Sequence, residues 1–411
     1  MKILHTVESY LPSRHGMSEV VRQLSERLAA KGHQVTVATR KDPARFDKLI
    51  NGVEIVEFDV SGNITEGIQG EYDRYIQFLL NSDFDIVTNF AAQQWATDLA
   101  LPILSRIRGK KVFVPTGFSA LYLPKYQSYY TQMKKWLKEY EKVVYLSENY
   151  RDANFAKDLG LSNSILIPNG ASEEEFCIDK DPEFRKRYGI PKNDFLVLHV
   201  SGYVGGKGHI DAIRIFSKAK LENASLLFIS PDFDNKFKDQ KLLSKSSMTA
   251  WIKSVIKHTA PPEIVQLKFI QRLQRLGFYR KIQFVELPRA EVIQAYKNAD
   301  LFLFPSQLEC SPIVLFECMA SKTPFLVTEV GNAKEIIEWS GAGNILPTVK
   351  SQEGYGFSRV NISPAAVQLQ NIAKDHNLLM EMSNSGYSSW IKNFTWANIH
   401  QKYDELYQTL K

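Results

Sequence analysis

Short apolar runs alternate with helix-length amphipathic stretches along the first half of this chain and again along the second, which restricts it to few folds. The first-half runs are KILHTV from residue 2, QVTVATR at 34–40, DIVTNF at 85–90 and KKVFVP at 110–115. After the first run, SEVVRQLSERLAAKG puts Val20, Val21, Leu24 and Leu28 on one stripe and stops at Gly32. That is the pattern of a helix with one buried face and a glycine stop. Strands that are apolar on both faces need cover on both, so alternation with helices predicts a parallel sheet in an α/β fold. The pattern restarts with FLVLHVSG at 195–202 and continues through SLLFIS at 225–230, KIQFVE at 281–286, LFLFPS at 301–306 and PFLVTE at 324–329. At 411 residues the chain is also too long for one ordinary core. Two doubly wound α/β domains are therefore expected, 1–175 and 192–385, with a Pro/Gly/charge-rich linker at 176–191 and a helical tail at 386–411. Ligands of such sheets bind beyond the carboxyl ends of the strands, so two facing domains define one cleft.

A net charge of +6 admits an anionic ligand without demanding one. Cys177, Cys310 and Cys318 are too few and too scattered for a disulfide framework or a zinc site, and read as reduced thiols. The opening MKILHTVESY lacks a signal-peptide core. No apolar window approaches the roughly eighteen residues of a membrane span. A cytoplasmic protein is expected. DFD occurs at 83–85 and 232–234, but Asp83 and Asp85 precede a strand at its amino end, away from the cleft, so no metal and no cofactor is expected. The run 121–142 interleaves Tyr122, Tyr126, Tyr129, Tyr130, Trp136 and Tyr140 with Lys125, Lys134, Lys135 and Lys138. It reads either as a core-facing helix with a lysine-rich solvent face or as a peripheral contact with an anionic bilayer; nucleic-acid binding is not expected. The basic stretch 231–282 reads as a solvated helical excursion.

Three turns at strand ends carry the chemistry. GYVGGKGH at 202–209 joins a strand to a helix, and such a glycine-rich turn lets backbone N–H groups and Lys207 approach an anion. It is neither a Walker A loop nor a dinucleotide fingerprint, since Lys207 precedes Gly208 and no Ser or Thr follows. Gly16 opens the first helix and lets backbone come close to a ligand. In LECSPIVLFECMASK, Ser311 and Pro312 form a helix-start signature, placing a helix from Pro312 to about Ala320. Glu309 then lies ahead of the helix and Glu317 on its second turn. The free N–H groups near Ile313 and Val314 suit an anion, and ionised carboxylates suit hydroxyl groups. A ligand with phosphate in the middle and polyols at both ends is a sugar nucleotide.

ECSPIVLFE at 309–317 resembles the E-x7-E motif of the retaining glycosyltransferases of family 4, which have the GT-B fold of two Rossmann-like domains. HGMSEVV at 15–21, IPNGASEEEF at 167–176, SGYVGGKG at 201–208, GNAKEII at 331–337 and FTWANIHQKYDELY near the end match further family segments in order. The last is similar to a helix that crosses back to the first domain. The resemblance implies transfer of a hexose, glucose-like rather than mannose-like, from a nucleotide sugar, UDP rather than GDP. The implied acceptor is a glycan or a lipid-linked acceptor in surface polysaccharide synthesis, met at the inner face of the cell membrane. It casts Glu317 as the ribose ligand and Glu309 as facing the donor sugar. Lys207 becomes the cation for the departing diphosphate, and Ser311, Ile313 and Val314 supply N–H groups. Gly16 and Gly202 approach the donor closely, and backbone near Val285 meets the base. On the acceptor side it points to Thr116, which stands where the family has histidine, and to Asn89, between Thr88 and Phe90 of a second departing pattern; Tyr203 likewise stands where the family has arginine. The competing readings are a nucleotide-sugar epimerase of similar fold and an inactive donor-binding subunit.

Overall fold

The computed structural model describes residues 1–13, 15–202, 205–230, 266–267, 270, 281–350 and 357–411. Tyr203, the second DFD and nearly all of the basic stretch 231–282 lie outside these described residues.

The first half forms β1 (Lys2–Thr6), β2 (Gln34–Arg40), β3 (Leu49–Ile50), β4 (Val53–Phe58), the hairpin β5 (Val60–Asn63) and β6 (Gly67–Gly70), β7 (Ile86–Phe90), β8 (Lys110–Val114), β9 (Lys142–Tyr145) and β10 (Ser164–Leu166). Its sheet runs in the order β10-β9-β8-β7-β1-β2-β4-β3, parallel except for β3 against β4. The second half forms β11 (Phe195–Val200), β12 (Ala224–Ile229), β13 (Ile282–Val285), β14 (Leu301–Phe304), β15 (Phe325–Val327) and β16 (Gly343–Ile345). These make a parallel sheet in the order β13-β12-β11-β14-β15-β16. Strand order reverses between β1 and β7 in one sheet and between β11 and β14 in the other. Such switch points open a crevice at the carboxyl ends of the strands.

The apolar stripe expected on the first helix, Gly16–Ala30, is buried: Val20, Val21, Leu24 and Leu28 are each no more than 2% exposed. Much of its cover comes from the far end of the chain. The helix Trp396–Leu410, capped by the Thr395 side chain, adds Trp396, Ile399, Tyr403 and Tyr407 to the core of the first sheet. The fold is thus a GT-B arrangement of two doubly wound α/β units with a C-terminal helix returning to the first.

One polar group locks this return. His5 on β1 is fully buried, with Nδ1 2.8 Å from the Ser25 hydroxyl and Nε2 3.2 Å from the Tyr407 hydroxyl. The Tyr407 hydroxyl also lies 2.7 Å from Thr88 Oγ1 on β7. Burial depresses the imidazole from 6.5 to about 3, so the fold holds it neutral. Between those two values the unfolded chain binds a proton that the folded chain refuses, and stability falls as pH falls through the window. His5→Gln is expected to be less stable than the wild type at neutral pH, where it loses buried hydrogen bonds. The gap should narrow by about 1.4 kcal/mol for each pH unit below the histidine's ordinary value. Urea midpoints at neutral pH and two units below that value test this; a constant gap would refute it.

Candidate functional site

The crevice between the two switch points contains a cavity of about 340 Å³. Its second-half wall comes from turns after β11 and β14. Gly208, at φ +77°, caps the helix His209–Ala219, and a Cβ there would sit 2.1 Å from the Pro305 carbonyl oxygen. Only glycine lets the two turns approach so closely. The approach is secured by the Gln307 N–H donating to the Gly206 carbonyl at 2.8 Å. Lys207 is thereby delivered to Glu309, with Nζ 2.7 Å from Oε1. The Ser306 hydroxyl donates to the same carboxylate oxygen at 2.8 Å.

The turn Cys310–Pro312 follows. The Asn169 amide donates to the Ser311 carbonyl at 3.1 Å, and the Asn332 amide reaches the Ser311 hydroxyl at 3.1 Å. These contacts correct the expected helix start. Ser311 spends its oxygens on the two asparagines, Pro312 becomes the cap residue in extended conformation, and the helix runs Ile313–Ala320. The first-turn N–H groups of Ile313 and Val314 have no partner within the helix, and both residues line the cavity.

The opposite wall belongs to the first sheet: Gly16, Met17 and Val20 of the first helix, and Thr116 after β8. A Cβ on Gly16 would lie 3.9 Å from Ile313 Cδ1, so the two helix starts face each other. Thr116, Gly117 and Phe118 all have positive φ, at 59°, 100° and 46°. Such backbone strain persists only where its surroundings impose it. Here a Cβ on Gly117 would stand 2.7 Å from Cys310 Sγ and 2.7 Å from the Tyr150 ring. The Gly117 N–H is held by the buried Asp152 carboxylate at 2.8 Å. Burial pushes the Asp152 carboxyl up to about 6. Nearby, Glu335 clasps the first-half loop, accepting from the Ser147 hydroxyl at 2.7 Å and from the N–H groups of Glu148 and Asn149 at 2.8 and 2.9 Å. Asn332 adds a bond to the Leu146 carbonyl at 2.8 Å.

Of the residues singled out from the sequence, Gly16, Thr116, Gly202, Lys207, Glu309, Ser311, Ile313 and Val314 meet at this cavity. Glu317 lies behind it, 6% exposed, with Oε1 2.6 Å from Arg289. Val285 ends β13 at the sheet edge, its side chain against the second core and its carbonyl accepting from Ser230 at 3.3 Å. Asn89 is a correction: it is fully buried inside the first domain, bonded to Thr6 and Tyr140 at 2.8 Å each, and shows nothing to a ligand. Asp83 pairs with Lys2 at 2.6 Å, and Asp85 accepts from the Lys2 N–H at 2.8 Å, at the amino ends of the strands.

In the aromatic-basic run most rings face inward, while Tyr122 stays 51% exposed. Tyr126, Tyr129, Tyr130 and Tyr140 are core residues, because packing on the first sheet claims the apolar face of the helix Gln127–Trp136. Lys134, Lys135 and Lys138 are left exposed. Among the described residues no helix is long and apolar enough to cross a membrane. Sequence reasoning missed Arg289, Asn332 and Glu335 as parts of the seam. Their only signal lies in partners more than twenty positions away, except that Asn332 and Glu335 fall in a family-like segment.

Two family profiles match in tandem: Glycosyltransferase Family 4 over residues 14–175 and Glycosyl transferases group 1 over residues 180–355. N-acetyl-alpha-D-glucosaminyl L-malate synthase of Bacillus anthracis is 20% identical, over 99% of this chain and 97% of its own. Lipopolysaccharide glucosyltransferase WaaG of Escherichia coli is 21% identical over 82% and 83%. HepE of Anabaena, solved in complex with UDP, superposes with a TM-score of 0.69 at 17% identity over 100% of both chains. Its complex with UDP-glucose gives 0.68 at 16% over the same spans.

Gly117→Ala is expected to force the seam apart. It should cost about 1–3 kcal/mol in urea unfolding, from overpacking and from the left-handed backbone. It should also speed alkylation of Cys310, followed by peptide mass spectrometry. A Cys310 labelling rate equal to that of the wild type would show that the contact does not hold the halves together.

Proposed function

We propose that this chain, a family 4-like hexosyltransferase of GT-B fold, moves a glucose-like hexose from a UDP-sugar to a hydroxyl of a glycan or lipid-linked acceptor, with retention of configuration, in surface polysaccharide synthesis. The observation that carries this reading is the Lys207–Glu309 pair, 2.7 Å apart, beside the start of the helix Ile313–Ala320 and facing Gly16. It sets a cation, a hydroxyl acceptor and two backbone donors around one cavity. The UDP and UDP-glucose complexes of HepE support the choice of base and sugar. The lipopolysaccharide name of WaaG supports the choice of product class.

In this reading Lys207 keeps Glu309 while turning another of its three N–H bonds to a phosphate oxygen. As the bond from sugar to phosphate breaks, negative charge gathers on the diphosphate. Lys207 and the N–H groups of Ile313 and Val314 are already in place to meet it, without the cost of reorganising water. Glu309, steadied by Ser306, accepts hydroxyls of the sugar. Glu317 accepts those of the ribose. The backbone around Val285 borders the base. Thr116 stands on the acceptor side with its neighbours Gly117 and Phe118. Any bilayer carrying a lipid-linked acceptor is met by charge alone, through Lys134, Lys135 and Lys138. No divalent ion is needed to neutralise the diphosphate.

Titration calorimetry with UDP, GDP and ADP, followed by turnover with the matching sugar nucleotides, tests the proposal. UDP is expected to bind best, and EDTA to leave turnover unchanged. Lys207→Ala should lower turnover by about a hundredfold to a thousandfold, the usual loss when a charge-stabilising donor is removed. Glu317→Ala should weaken nucleotide binding, while Glu309→Ala should act mainly on turnover. Failure of all three nucleotides to bind, or full activity in Lys207→Ala, would overturn the reading.

A further inference from the structure

Glu317 does not stand alone behind the cavity. Arg289, the first residue of the helix Arg289–Asn298, places one guanidinium nitrogen 2.6 Å from Glu317 Oε1. Its other contacts fix where that nitrogen points. Nε and the same NH2 reach Glu175 Oε2 at 3.0 and 2.7 Å, and the guanidinium carbon lies 5.4 Å from the centre of the Phe176 ring. Glu175 belongs to the connector between the sheets, and its other oxygen is 3.5 Å from Arg22 on the first helix. Arg22 is itself held by Glu19 at 2.6 Å and Glu26 at 2.9 Å. Charges of alternating sign thus run Glu26, Arg22, Glu175, Arg289, Glu317, from the first helix to the helix behind the cavity.

The bland reading is an ordinary surface ion pair, worth almost nothing. Burial argues against it, because the Glu317 side chain is only 7% exposed. A carboxylate at that depth is held in one place by a cation matched to it. A planar guanidinium already clamped by Glu175 and Phe176 is preorganised for that task. With Oε1 engaged by Arg289, the carboxylate retains acceptor capacity for hydroxyl donors.

We infer that Arg289 is the positioning residue for Glu317, so that the donor's ribose is read by an Arg–Glu pair anchored on the domain connector rather than by a lone glutamate. This rests on Glu317 meeting the ribose, as proposed above.

The test is ribose discrimination. UDP, GDP and ADP, each with its 2′-deoxy counterpart, are titrated into the wild type and into Arg289→Met, which keeps the apolar stem but loses the fork. The wild type should favour the ribonucleotide by about tenfold, the loss expected for one hydrogen bond to a charged group. In Arg289→Met that ratio should fall to about twofold or less as the bond to a fixed carboxylate is lost, with affinity for the deoxynucleotide little changed. Glu175→Gln, which loosens only the anchor, should give an intermediate ratio, and it serves if Arg289→Met does not fold. An unchanged ratio in both variants, or an equal loss for both nucleotides, overturns the role of Arg289 while leaving the transferase reading intact. A wild type that binds a nucleotide without preferring ribose removes the ribose role of Glu317 and this inference with it. No nucleotide binding at all in the wild type overturns both.

Discussion

Everything at the cleft depends on one short turn, Cys310–Pro312, being gripped by amides from either side of the chain's midpoint. Asn169 takes the Ser311 carbonyl and Asn332 takes its hydroxyl, and Asn332 also bonds Leu146 of the first half. A polar turn facing a cleft would normally satisfy itself with water. Here the protein supplies the partners, so the turn has one position, and the helix behind it has one direction. Gly331, at φ +53°, lets the following segment close over the same turn, since a Cβ there would lie 2.1 Å from the Cys310 carbonyl oxygen. The left-handed run at Thr116–Phe118 is the matching concession from the other half.

Two of the carboxylates around the cavity are matched to a cation, whereas Asp152 and Glu335 are satisfied by N–H and hydroxyl donors. Lys207 answers Glu309 and Arg289 answers Glu317. Pairs of this kind add little to stability, because desolvation consumes most of their attraction. What they add is definition. A ligand bringing negative charge meets donors whose orientation is settled, and one bringing hydroxyls meets carboxylates already held in place. The two pairs also differ in anchorage. Lys207 rides on a glycine-rich turn, whereas Arg289 is tied through Glu175 to the connector and Arg22.

The alternation of strands and helices was legible in the sequence because apolar periodicity is local: the stripe Val20, Val21, Leu24 and Leu28 needs only its own helix to be recognised. Glu309 and Lys207 were legible for the same reason, as polar groups at strand ends. Their pairing was not, since Lys207 and Glu309 are 102 positions apart. Asn89 was misread because the resemblance carried a family pattern onto the strand DIVTNF without showing which side chains that strand buries. Its real partners, Thr6 and Tyr140, come from distant segments. Ser311 was misread as a cap because capping is the local use of a serine before proline, and the seam outbid it. In the run 121–142 the core took Tyr126, Tyr129, Tyr130 and Tyr140, which spacing alone could not tell, because spacing shows an apolar face without showing what lies against it.

The returning C-terminal helix has a consequence for how the molecule is made. Tyr407 closes a core begun by His5, 402 positions earlier. A ribosome delivers residues in order, so during most of synthesis the first sheet emerges with the place of Trp396, Ile399, Tyr403 and Tyr407 still vacant. The second sheet has been delivered before that last stretch arrives. The core of the first sheet is complete only once this last helix is in place. The first domain begins early and is finished last.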